Sequence, residues 1–177
     1  MLSERLIDLR VCIVNEFFYP DSTGGTGTIL SSLARDLHDT YNVEIDVVTT
    51  VHLYRDETTR LPRYEDWNGI RIYRLPSPRA SRTSIGKRLF ANTAFGVAAL
   101  FQLLLNRRYD LILVGTAPPT VALTAHIFKR LTNTPYNYIV YDLMPDVAIA
   151  MKVMNPDGLA ARLLKRLQQR WLLGADV

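Results

Sequence analysis

A single cysteine and three histidines in 177 residues rule out several kinds of chemistry at once. Cys12 has no partner for an internal disulfide, so a stapled secreted scaffold is excluded and a reducing compartment is compatible. His38, His52 and His126 are too scattered for metal-ligand spacing, and no metal is expected. His38 and His126 fall in predicted helices and read as structural, whereas His52 follows a predicted strand and could face its rim. No G-x-S-x-G elbow is present, which removes the Ser/His/Asp hydrolase logic built on it. The opening Met1-Leu2-Ser3-Glu4-Arg5-Leu6-Ile7-Asp8 is broken by charges and lacks the apolar core of a signal peptide. No nucleic-acid-binding motif occurs, and nucleic acid is not an expected partner.

What is present is an ordinary soluble composition, with 48% hydrophobic and 21% charged residues, enough for one domain with a proper core. The net charge of +4 is mild, but the basic residues cluster. Arg79, Arg82, Lys87 and Arg88 precede one apolar segment, Arg107-Arg108 close it, and Arg162, Lys165, Arg166 and Arg170 lie on the last predicted helix. Such clusters suit anionic lipid or phosphate-bearing ligands.

The chain is organised around one stretch. Val11-Cys12-Ile13-Val14 reads as a strand buried on both faces. Ile29, Leu30, Leu33, Ala34 and Leu37 recur at helical spacing. Between them lies a glycine-bearing loop whose Gly24, Gly25 and Thr26 point to a phosphate site at the helix N-terminus, with Thr26 or Thr28 as its cap. A plain turn competes with that reading. A dinucleotide fingerprint is less favoured, because about eight residues intervene between Asn15 and Gly24 and the third glycine is lacking.

Val43 to Thr50 then reads as a strand, and Asn68-Gly69 between two alternating runs predicts a hairpin near the sheet edge. Ile85 to Leu105 predicts a helix on the sheet, or an interfacial contact through its basic start. Its dense apolar part, Ala94–Leu105, is too short for a bilayer, which needs about twenty residues. Asp110-Leu111-Ile112-Leu113-Val114 is a central strand, Pro119 to Leu131 a helix, and Tyr136 to Val140 another strand. Asn155-Pro156-Asp157-Gly158 opens a last helix with a stripe of Leu159, Leu163, Leu167 and Trp171. Alternating strands and helices predict a Rossmann-like, doubly wound α/β fold with a mostly parallel sheet and an edge hairpin. In such sheets ligands sit beyond the carboxyl ends of the strands. The Gly24-Gly25 loop, the Thr116-Ala117-Pro118-Pro119 loop and the Tyr141-Asp142 turn should therefore share one rim. At Ala175-Asp176-Val177 the pattern calls for a further strand.

The ordered set Phe17-Phe18-Tyr19-Pro20 with Gly24-Gly25, Asn68 to Pro76, Tyr109 to Val114 with Pro118-Pro119, Asp142-Leu143-Met144-Pro145-Asp146 and Gly174-Ala175-Asp176 covers nearly the whole chain. It resembles the N-terminal half of retaining GT-B glycosyltransferases, of the family 4-like group that builds exopolysaccharide, capsule or O-antigen. The resemblance implies one acceptor-binding domain over residues 1–177. A second domain, not in this sequence, would bind most of a nucleotide-sugar and carry the family's paired glutamates. Glu57 and Glu65 have the glutamate spacing by coincidence. It further implies a sugar or polyprenyl-linked acceptor, a cytoplasmic location that can be peripheral on the inner membrane face, and no cofactor. Glu16, Tyr19, Thr116, Pro118 and Tyr141 would bind acceptor, and Gly24, Gly25 and Thr26 would approach the donor diphosphate. Arg82, Lys87 and Arg88 would face lipid. Where many relatives carry a histidine, this chain has Tyr141 followed by Asp142. Asp142 would be a base or orient the acceptor hydroxyl, or else cap the helix that begins at Pro145. Two other readings remain: a stand-alone domain binding a phosphorylated small molecule, and a membrane-surface adaptor.

Overall fold

The computed structural model describes residues 9–21, 25–56, 58–79, 84–106, 108–143, 145–152 and 154–176. Gly24 and Arg82, two of the residues singled out above, lie outside them. In strand β1 (Arg10–Val14) neighbouring side chains point to opposite faces, and both faces are apolar. Cys12 and Val14 enter one core, with Val48, Phe95, Ala99, Leu103, Ile112 and Phe128. Val11 and Ile13 enter the other, with Leu30, Ala34, Val47 and Ile72. A strand buried this way belongs at the centre of a sheet with helices on both sides.

The sheet follows that expectation. Its order is β3-β4-β2-β1-β5-β6, where β2 is Glu44–Thr50, β3 Tyr64–Trp67, β4 Ile70–Leu75, β5 Leu111–Val114 and β6 Tyr136–Tyr138. All pairs are parallel except β3 on β4. That edge pair turns through Asn68 (φ 53°) and Gly69 (φ 89°), a two-residue turn that asks for positive φ at both positions. Helix α1 (Gly25–Tyr41) covers one face. Helices α2 (Ile85–Leu105) and α3 (Thr120–Thr132) cover the other, and α5 (Leu159–Gly174) packs on α3. The short α4 (Asp146–Ala150) lies between β6 and α5 in sequence. The chain leaves β1 towards β2 and β4, then returns to place β5 on β1's other side. The gap between the ends of β1 and β5 is thus the topological switch point, where an open parallel sheet leaves a crevice.

Four local expectations are corrected. Thr26 and Thr28 cannot cap α1, because the helix already starts at Gly25 and encloses both. Asp142 does not cap α4, whose N-cap residue is Pro145 with no side-chain cap bond. The α5 stripe is also displaced: Leu159 and Leu163 are exposed, while Ala161, Gln168 and Trp171 are buried. Finally, α2 keeps its expected range, Ile85–Leu105, but the apolar span is not limited to Ala94–Leu105: Gly86–Leu105 is long and apolar enough to cross a membrane by length and composition, and most of it is not buried.

Candidate functional site

Two residues leave β1 at the switch point. Asn15 is wholly buried, its amide donating to Val48 O at 3.2 Å and its Nδ2 to Phe17 O at 2.7 Å. The Glu16 amide donates to Ala117 O at 3.0 Å, which ties the β1 end to the loop after β5. Glu16 O accepts from Thr50 N and from the hydroxyls of Thr49 and Thr50, the last two at 2.9 Å, which ties it to the end of β2. Its backbone is fixed by three strand ends. Burial pushes the Glu16 carboxyl up to about 7, against the pull of Arg88 and Arg79. A carboxyl with that pKa can hold or release a proton near neutral pH.

The loop after β5 supplies Thr116 and Pro118, both buried. The turn after β6 supplies Tyr141, whose hydroxyl is buried and whose pKa is raised by desolvation. Ile139 N donates to Val114 O at 2.8 Å, which holds this turn beside the β5 end. Asp142 is exposed and makes no hydrogen bond or ion pair among the described residues. The contact that joins the three strand ends is at Gly115. An added Cβ there would stand 2.9 Å from Asn15 Oδ1 and 3.5 Å from Tyr141 Cε2, so only glycine leaves room.

Asn15, Glu16, Thr116, Pro118, Tyr141 and Asp142 are thereby gathered beyond the carboxyl ends of β1, β5 and β6. Gly25 and Thr26 open α1, and the helix approaches the rim at Gly27, where an added Cβ would stand 3.3 Å from the Phe17 carbonyl. Tyr19 is differently placed. Its ring stacks on Trp67 at 4.1 Å, and its carbonyl accepts from buried Arg74 at 2.8 Å, on the hairpin side of the sheet. Lys87 and Arg88 are exposed in the first turn of α2, which Ser84 caps. Arg79 is spent on the carbonyls of Asp56 and Leu53, and His52 on that of Ser77. Among the described residues no three His, Cys, Asp or Glu side chains are grouped so as to hold a metal.

Two residues escaped the sequence reading. Asn15 was the neighbour of a named residue, and asparagine after a strand passes for a turn former. Gly115 gave no signal, because what it clears space for is a hundred residues earlier.

Comparison with known proteins adds independent findings. The sequence profile described as a glycosyl transferase 4-like domain matches residues 24–177. No curated protein sequence matches. Among solved structures, the catalytic domain of starch synthase IV from Arabidopsis thaliana bound to ADP and acarbose superimposes with a TM-score of 0.59 and 13% identity. The alignment covers 76% of this chain and 34% of that one, so the chain spans about a third of its neighbour's length. At this identity the likeness is one of fold, that of a Rossmann-like domain of GT-B type.

Proposed function

The chain belongs to the glycosyl transferase 4-like domain family, and from that membership we propose that it is the acceptor-binding half of a retaining, nucleotide-sugar-dependent hexosyltransferase. In this reading a second domain binds most of the donor and closes over the rim. The observation that carries it is the convergence of Asn15, Glu16, Thr116, Pro118, Tyr141 and Asp142 on one switch-point rim through Gly115 and the Glu16–Ala117 bond. The acceptor is a sugar, free or polyprenyl-linked, and the product is cell-surface polysaccharide or glycolipid. Gly25 and Thr26 place their amides at the positive end of a 17-residue helix, suited to the donor diphosphate. Charge developing on that leaving group is stabilised by such fixed donors without a cofactor.

Asp142 fits the role of proton acceptor for the attacking hydroxyl, or of a group that orients it. Its exposure and lack of partners support function over architecture. In the full-length protein, Asp142→Ala should cut turnover by about 100-fold or more while stability stays within about 0.5 kcal/mol. Near-normal turnover with a large fall in melting temperature would remove Asp142 from the reaction.

The place of action we propose is the cytoplasm, peripheral on the inner face of the membrane. Helix α2 supports it. Leu89, Val97, Phe101 and Leu105 form an exposed ridge, with Thr93 at the four-residue step between the first two and exposed Phe90 beside it. Lys87 and Arg88 stand at its rimward end, and the whole helix lacks Asp and Glu.

A further inference from the structure

Among the described residues, three buried polar atoms at the rim have no hydrogen-bond partner: Asn15 Oδ1, Thr116 Oγ1 and Tyr141 OH. Buried polar groups are paired as a rule, so a cluster of unpaired ones calls for a cause. Arg10 Nε and Arg74 Nε also lack a hydrogen bond, but each belongs to a guanidinium already engaged, on Asp46 and Glu44 and on Tyr19 O, Pro62 O and Glu65. The rim atoms differ, because they come from residues at three adjoining strand ends, two of which, Asn15 and Tyr141, flank the bare backbone of Gly115. Asn15 is wholly buried, and its amide orientation is set by the 2.7 Å bond from Nδ2 to Phe17 O. Oδ1 is therefore turned over Gly115, in the space a Cβ would fill, with Tyr141 Cε2 on the other side. Thr116 is the next residue.

The chemistry of these atoms selects the guest. Asn15 Oδ1 can only accept, whereas the hydroxyls of Thr116 and Tyr141 can donate or accept. A guest must then donate to Asn15 and can accept from the other two, which is the pattern of a neutral hydroxyl. A phosphate or carboxylate would set its charge against Oδ1. An ammonium would meet the field of Arg79 and Arg88, which already acts on adjoining Glu16.

We infer that Asn15, Thr116 and Tyr141 form a cradle for one hydroxyl of the acceptor sugar, with Asn15 deciding which sugars are taken. That the guest is a sugar rests on the transferase reading; that it is a neutral hydroxyl rests on the three atoms. A cradle built around a hydroxyl rejects the analogue lacking it far more strongly than a merely apolar pocket rejects a size change.

The test titrates the 177-residue chain and its Asn15→Leu and Thr116→Val variants with D-glucose, D-galactose, D-mannose and N-acetyl-D-glucosamine. Saturation-transfer NMR reads binding, and melting temperature is followed alongside. At least one sugar should take saturation from the parent chain, and each variant should lose it by about tenfold or more; Thr116→Val should melt no earlier, whereas Asn15→Leu also forfeits the bond to Phe17 O. Among single-deoxy analogues of that sugar, one should fail to bind. If a variant does not fold, the other decides. No saturation with any sugar, or saturation unchanged in the variants, overturns the cradle. So does earlier melting of Thr116→Val without sugar binding, which would assign the three atoms to an internal water. Assays of the full-length protein separate the two ideas. Transfer with an unchanged acceptor KM in Asn15→Leu removes the cradle and keeps the transferase. Variant-sensitive sugar binding without transfer from any nucleotide-sugar does the reverse.

Discussion

Glu16 holds two incompatible preferences, a buried carboxyl and a pair of nearby arginines, and burial dominates. Its folded pKa of about 7 lies above the ordinary 4.5, so folding favours the protonated form. The stability this group allows is fully present below pH 4.5 and is lost as pH rises to about 7. Glu16→Gln, which stays neutral, should match the parent at low pH and exceed it above pH 7 by on the order of 3 kcal/mol. Chemical denaturation of both at a series of pH values reads the difference, and parallel pH profiles would show that the carboxyl is solvated instead. At this scale the sequence was only partly legible. Glu16, Thr116 and Tyr141 could be named because each follows an apolar strand, and strand ends of parallel sheets face ligands. Asn15 could not, because its isolation depends on Gly115 coming to lie against it. Asp142 was legible as a functional or capping residue, and the capping alternative fell only when the start of α4 was seen at Pro145–Asp146.

Helices give a clearer case of what periodicity does and does not carry. Element types and order followed from alternation and helical spacing, but the buried face of α5 did not. A run at four-residue steps advances about 40° around the helix each time, so Leu159, Leu163, Leu167 and Trp171 wind from an exposed position to a buried one instead of lining one face. Mixed steps of three and four hold one face, and Ala161, Gln168 and Trp171 follow that pattern. The first turn of α1 offers a separation of function from folding. A Cβ added at Gly25 meets nothing within 4 Å, so Gly25→Ala is sterically free and leaves stability unchanged or raises it by up to about 1 kcal/mol. If the donor diphosphate approaches these amides, the same methyl intrudes on it. The full-length variant should show a donor KM raised by about tenfold or more, with acceptor KM unchanged. An unaffected donor KM would move the diphosphate elsewhere.

Across the whole molecule charge is segregated by layer. From Trp67 to Tyr141 the sequence holds one acid, Asp110, against ten Lys and Arg residues. Helices α2, α3 and α5 contain no Asp or Glu, whereas α1 on the opposite face carries Asp36 and Asp39. This asymmetry was only half legible, since basic clusters are visible in a string of letters but the layer they occupy is not. The basic layer also holds the apolar ridge, with Phe90 and Phe101 about two-thirds exposed. Anionic lipid satisfies both features, because its headgroups pair with the cations while the ridge enters the acyl boundary. Vesicles containing phosphatidylglycerol should therefore sediment the chain at about 0.05 M salt and release most of it at about 0.5 M, whereas phosphatidylcholine vesicles should not retain it. Lys87→Glu with Arg88→Glu should abolish the salt-sensitive part. Phe90→Ser with Phe101→Ser should reduce retention without lowering the melting temperature, since neither ring is in the core. Such binding would be more than adhesion. Thr120 Oγ1 donates to Asn92 O at 2.7 Å, which couples α2 to the start of α3 directly after the rim loop, and Arg88 acts on Glu16. A bilayer under α2 would thus lie beside the acceptor cradle, within reach of a sugar carried on a lipid. Absence of vesicle binding at every salt concentration would sever that link and favour a soluble acceptor at the same rim.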